Sequence, residues 1–145
     1  MNTKLMFSSK EEKWQTPQDF FDKLNEEFDF TLDPCCQIDS AKCNKFYTPK
    51  EDGLIQDWQG ETVFVNPPYG RDLKFWVEKC SNESKKENTI VVMLIPARTD
   101  TRYFHEYIYH KSEIRFIKGR LKFINPKTKL QADAAPFPSM IVVMK

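Results

Sequence analysis

Asn66, Pro67, Pro68 and Tyr69 come directly after an apolar run in "VFVNPPYG", residues 63–70, and together they carry the clearest capacity for chemistry in the chain. A proline at position 67 drives Asn66 out of the α region into extended geometry, and two prolines in succession stiffen the loop. The product is a rigid bracket. It can present the side-chain carbonyl of Asn66 and the backbone carbonyl of Pro67 side by side, with Tyr69 as a flat face close by. Two acceptors and a stacking surface suit a planar group that bears an exocyclic NH₂, as in adenine, cytosine or a carboxamide.

Such a nitrogen is a weak nucleophile because its lone pair is conjugated. Accepting both of its hydrogens favours a more tetrahedral nitrogen and stabilises the positive charge that grows as it attacks an electrophilic carbon. A methyl donor that is already activated, the sulfonium of S-adenosylmethionine, would need neither a metal nor a strong base. The plain alternative is a strand that ends in a Pro-Pro-Tyr-Gly turn. A strand before the bracket and a helix after it favour the chemical reading.

The elements around the bracket are set by periodicity. "TPQDFFDKLNEEF" predicts a helix with Thr16 as N-cap and Pro17 at the first helical position, and Phe20, Phe21, Leu24 and Phe28 share one face. "FDFTLDP" reads as a short strand ending at Asp33, "KFYT" as another, and "ETVFVN" as a third. "RDLKFWVEKC" is a helix with Leu73, Trp76, Val77 and Cys80 on one stripe, and "SNESKKEN" a solvated loop. The continuous apolar run "TIVVMLIPA" fits a strand buried on both faces of a parallel sheet. "TDTRYFHEYIYH" predicts a further helix; "EIRFIKGRLKF" and "PSMIVVMK" predict two strands in a closing hairpin. Strands alternating with helices give an α/β sheet, mostly parallel with an antiparallel C-terminal hairpin at its edge. In such a sheet the loops after Asp33, Val65 and Ile95 gather along one rim, where ligands bind.

At 145 residues one domain over residues 1–145 is expected, with residues 1–13 a flexible arm. Lys plus Arg number 22 against 21 Asp plus Glu, so a nucleic-acid surface has to be a local patch. No long apolar span or secretory leader is legible, which predicts no membrane partner and a cytoplasmic location. Cys35, Cys36, Cys43 and Cys80, with His105 and His110, fit no structural zinc spacing; reduced thiols and no metal are expected.

Seven blocks in order, "WQTPQDFFDKLNEEFDFTLDPC", "AKCNKFYT", "DGLIQDW", "VNPPYG", "MLIPARTDTRYFHEYI", "EIRFIKGRLKF" and "APFPSMIVV", resemble the small phage-type DNA N6-adenine methyltransferases, the phage Dam family. The resemblance spans residues 14 to 143. It implies a Rossmann-like class I methyltransferase sheet with helices on both faces, S-adenosylmethionine as donor with S-adenosylhomocysteine as product, and adenine in DNA as acceptor. By the same resemblance Asn66, Pro67, Pro68 and Tyr69 are the catalytic residues. Trp14, Thr16 and Pro17 approach the cofactor together with Asn66; Asp33 meets its ammonium group, and Asp57 its adenine. After Asp33 the chain reads "PCCQIDSAKCN", without the glycine-rich turn common in this fold.

Basic residues interleaved with aromatics place DNA contact on Arg98, Arg102, Lys118 and Arg120. Arg115 and Lys122 fit a solvated strand face better. The target adenine must be flipped out or single-stranded. With little room for a separate recognition domain, short sequence specificity or a homodimer sharing the DNA surface is expected. Cytosine N4 or a protein glutamine offers the same planar NH₂, and a silent module that binds DNA or cofactor is the reading from another class.

Overall fold

The computed structural model describes residues 14–145; the arm expected at 1–13 lies outside the described residues. Helix α1, Gln18–Phe28, forms where the periodic phenylalanines predict it. It ends at Asp29 in the left-handed conformation (φ 56°), whose N–H donates to Asn25 O at 2.9 Å. Its start differs from the expectation. Pro17 and not Thr16 occupies the cap position, while the Thr16 hydroxyl accepts from Asn66 Nδ2 and Asp19 Oδ1 accepts from Phe20 N in the first turn.

The described residues contribute six strands: β1 Leu32–Asp33, β2 Lys45–Phe46, β3 Thr62–Val65, β4 Ile90–Pro96, β5 Glu113–Phe116 and β6 Ser139–Met144. They build one sheet in the order β2-β1-β3-β4-β6-β5. The first four are mutually parallel, and β6 is antiparallel to both β4 and β5. The antiparallel pair expected at the C-terminal edge is therefore present, with β5 as the edge strand and β6 between it and β4. Edge strand β5 consequently runs in the same direction as β4. The pair is no tight hairpin, since residues 117–138 separate the two strands.

Alternation along β4 and β6 divides the core in two. Val91, Met93 and Ile95 with Met140, Val142 and Met144 face helix α2, Leu73–Ser84, through Trp76, Val77 and Cys80. Val92, Leu94, Ile141 and Val143 face the other way, in the cluster that contains Phe64 of β3 and Phe21 of α1. Helices thus cover both faces. Among the described residues no helix is long and apolar enough to cross a membrane.

Two further expectations are corrected. Residues 81–84 are not loop: α2 runs to Ser84 because buried Glu83 accepts from Trp58 N at 2.7 Å while pairing with Lys79 (3.4 Å) and Lys86 (2.8 Å). A carboxylate with that many partners stabilises burial that its charge alone would oppose. The helix expected over 99–110 is present but shorter, over 102–108, and its last five residues, Phe104–Ile108, are wound as a π-helix that seats Phe104 and Ile108 against the sheet. Likewise the strand expected over 113–123 stops at Phe116, ahead of Gly119 at φ 78°.

Candidate active site

The carboxyl ends of β1, β2 and β3 open onto a cavity of about 290 Å³. Its wall includes Trp14, Thr16, Asp33, Asn66 and Pro68. An open α/β sheet gathers its ligand there because the loops leaving parallel strands converge on that rim.

Asn66 comes just after β3 and is anchored on three sides. Its Nδ2 donates to Trp14 O and to Thr16 Oγ1, each at 3.0 Å, and its Oδ1 accepts from Tyr69 Oη at 2.9 Å. The segment carrying Trp14 and Thr16 is itself pinned, since Gln15 and Ile124 exchange backbone hydrogen bonds of 3.0 and 2.9 Å. Pro67 and Tyr69 are buried and stand behind the cavity wall. Tyr69 does not offer the open face expected of it. The residue is 9% exposed, its ring is in edge contact with Phe123 and Phe137, and burial pushes its phenol far above the usual range.

Asp33 ends β1 and is buried, 3% exposed as a residue. Its Oδ2 accepts from Lys42 N at 3.0 Å and its Oδ1 from Cys35 N at 3.3 Å, so the loop 34–42 folds back over the carboxylate. Burial pushes its pKa up to about 6, against those backbone hydrogen bonds, which pull it down. At neutral pH it is an anion poised to gain from a cation. Of the remaining residues expected at the cofactor, Pro17 is buried outside the cavity, and Asp57 is exposed and paired with Lys86 at 2.9 Å. Asp57 is replaced in the cavity wall by Asp52, which holds φ 59° and accepts from Leu54 N at 3.1 Å. The Asp-Gly pair at 52–53 is a turn signal in the sequence, and it could have drawn attention to this acid.

Gly53 lets its loop pack directly on the loop after Asp33: a Cβ there would lie 2.1 Å from Pro34 O. Trp58 Nε1 holds it there by donating to Gly53 O at 3.0 Å. Gly53→Ala is expected to cost about 1–3 kcal/mol of stability by overpacking two backbones that cannot both stay in place. An unchanged urea midpoint for this variant would show that the loops separate freely.

The thiols near the cavity are quiet. Cys35, Cys36, Cys43 and Cys80 are reduced, and burial pushes Cys43 up to about 12 and Cys36 further still. Protonated thiols are poor nucleophiles and poor metal ligands.

Because β5 runs parallel to β4, the residues after both strands emerge on the same rim as Asn66. Arg98 lies just beyond β4, exposed, with its guanidinium 5.9 Å over the Phe137 ring that abuts Tyr69. Lys118 lies just beyond β5 and is exposed. Arg102 is exposed with a loose 3.8 Å pairing to Glu106, while Arg120 donates to Ala135 O at 3.1 Å. Arg115 instead makes a two-pronged bridge to Glu27 of α1, both contacts 2.7 Å, and lies over Phe28.

A family model described as DNA N-6-adenine-methyltransferase (Dam) matches residues 3–145 of the chain. A protein of Haemophilus phage HP1 (strain HP1c1) named DNA N-6-adenine-methyltransferase is 33% identical over 147 residues, covering 99% of this chain and 83% of its own length. Another so named, from Escherichia phage T1, is 29% identical over 150 residues, 91% of this chain; the chain spans only 62% of that relative.

Proposed function

The chain belongs to the DNA N-6-adenine-methyltransferase (Dam) family, and from that premise we propose that it transfers a methyl group from S-adenosylmethionine to the exocyclic N6 of adenine in DNA, on a Rossmann-like class I sheet. The observation that carries the proposal is the immobilised amide of Asn66, whose carbonyl oxygen is fixed at the carboxyl end of β3 beside a cavity that also holds the Asp33 carboxylate.

The residues present fit the cofactor by their chemistry. One buried anion, Asp33, suits the ammonium group of an amino-acid tail. Trp14, Phe64, Leu54 and Trp76 supply apolar wall for a purine, and Asp52 an acceptor for sugar hydroxyls. About 290 Å³ is at the lower end of the range for small-ligand sites. When bound, S-adenosylmethionine supplies a sulfonium-activated methyl group and is released as S-adenosylhomocysteine.

The work of the chain is orientation. Asn66 Oδ1 accepts one hydrogen of the adenine amino group and the Pro67 carbonyl the other, which favours a tetrahedral nitrogen and stabilises its developing positive charge. Fixed dipoles do this without reorganising at the moment of reaction. The base has to leave its stack to reach the bracket, so DNA is bound with the adenine extruded or already single-stranded.

The decisive experiment is transfer of labelled methyl from S-adenosylmethionine to DNA, with digestion to nucleosides afterwards. Label in N6-methyladenosine is expected. Label in N4-methylcytosine would move the acceptor, and cofactor binding with no transfer to DNA would favour a binding module or a protein substrate.

Arg98, Arg102, Lys118 and Arg120 are the proposed phosphate contacts. Lys118→Ala should lower the magnitude of the slope of log affinity against log salt by about 0.9 on duplex DNA. Arg115→Ala should leave that slope alone and reduce stability instead, because it breaks the bridge between β5 and α1. Equal slopes for wild type and Lys118→Ala would return Lys118 to an ordinary solvated surface.

A further inference from the structure

Three carboxylates, Asp33, Asp52 and Asp72, line the cavity at the carboxyl ends of β1, β2 and β3, and among the described residues of its wall Lys42 alone carries a cation. Lys42 is half-buried. Its backbone N–H donates to Asp33 Oδ2 at 3.0 Å, so its side chain leaves the loop directly beside that carboxylate. Nζ lies 6.0 Å from the centre of the Phe21 ring, and Phe21 packs edge-on, at 5.1 Å, against Phe64 of the cavity wall.

The ammonium is not neutralised there. It donates to Gln18 Oε1 at 2.8 Å, a neutral partner, and among the described residues it is tied up in no ion pair. Asp33 and Asp22 act on it through space, but burial outweighs both and holds its pKa below the usual lysine range. The contact with Gln18 also brings the cation to the first turn of α1, the end at which a helix dipole repels a cation and attracts an anion. A cation that has lost part of its hydration and faces the positive end of a helix is stabilised by an anion that reaches it.

The amino-acid tail of S-adenosylmethionine carries an ammonium and a carboxylate on one carbon atom. Resting on the cofactor reading above, in which Asp33 takes the ammonium, we propose that Lys42 binds the carboxylate of the same tail. The loop 34–42 then grips the tail by both of its charges, with Asp33 before the loop and Lys42 at its end, and the hydrogen bond between Lys42 N and Asp33 Oδ2 holds the two in register. The pair also selects. A purine nucleoside without the tail leaves both ions unmatched, whereas the zwitterionic tail satisfies each with its opposite.

Calorimetry with S-adenosylhomocysteine and with its decarboxylated form, whose tail is a plain aminopropyl chain, tests this directly. Wild type should bind the decarboxylated form about tenfold more weakly, near the low end for a hydrogen bond between charged groups because Lys42 is only half-buried. Lys42→Met keeps the stem over Phe21 and removes the charge. It should bind S-adenosylhomocysteine about tenfold more weakly than wild type does, and the decarboxylated form within about twofold of wild type, so that the two losses do not add. Lys42→Gln should repeat the pattern, which keeps the test sound if methionine disturbs the fold. Equal losses for both ligands in the variants would overturn the proposal, since Lys42 would then serve the loop over Asp33 and touch no ligand carboxylate. Unchanged affinities would overturn it as well. A wild type that binds both ligands alike overturns this proposal and leaves the cofactor reading standing; one that binds neither overturns both.

Discussion

Asn66→Ala is expected to lower methyl transfer by roughly 10²- to 10³-fold, the effect of deleting one preorganised polar group that acts where charge develops. The loss falls on turnover because the acceptor matters most once the amino nitrogen begins to bond to carbon, and much less while the base merely sits in place. Cofactor affinity should shift far less, since the substitution leaves Asp33 and the apolar wall in position. The variant also frees Trp14 O and Thr16 Oγ1 from their amide partner, so the comparison has to be made on protein shown to melt normally. Single-turnover rates with saturating DNA and cofactor give the cleanest measure. A normally folded Asn66→Ala protein that transfers methyl at the wild-type rate would remove the bracket from the mechanism even though the family assignment stands.

The parts of the molecule legible in the sequence are those whose burial has a period. Phe20, Phe21, Leu24 and Phe28 announce α1, and the unbroken run at 90–96 announces a strand buried on both faces, because a side chain's neighbours there are set by the element's own geometry. The position of β6 is not legible. Its sequence reads as an interior strand wherever it pairs, and only the turn-rich segment 117–138 lets it return between β4 and β5. The π turn at 104–108 escapes for the opposite reason, since its apolar spacing serves a longer helix equally well.

At the site the same division holds. Asn66 and Asp33 are legible because they end strands, and the rim of an α/β sheet is a place a sequence can point to. Asp52 and Asp57 lie in a loop without periodicity, where the choice between them is made by Trp58 bonding to Gly53 O and by Lys86 drawing Asp57 outward. Neither contact has a signature in the spacing. The open face expected of Tyr69 fails for a related reason: which way an aromatic ring faces after a turn depends on Phe123 and Phe137, distant in the chain.

Asp33→Asn should weaken binding of S-adenosylhomocysteine by about 1.5–3 kcal/mol, the range for a hydrogen bond to a charged group, and should also abolish the pH dependence expected of the wild type. The direction of the shift sets the sign. Burial raises the folded pKa of Asp33 from 3.8 to about 6, so the fold prefers the protonated acid; stability gained from protonation is complete below the unfolded value and is lost as pH rises through about 6. An ammonium ligand needs the opposite form. Cofactor affinity should therefore climb as pH rises through 6 and level off near 7, falling up to about tenfold per unit below the transition. The asparagine keeps one acceptor for the loop that folds over position 33 but carries no charge, so its weaker affinity should be flat between about pH 5 and 7.5. Calorimetry across that interval decides the matter. A flat wild-type profile, or a variant that keeps the slope, would mean that the cation of the cofactor lies elsewhere and that Asp33 serves only to bind the N–H groups of Cys35 and Lys42.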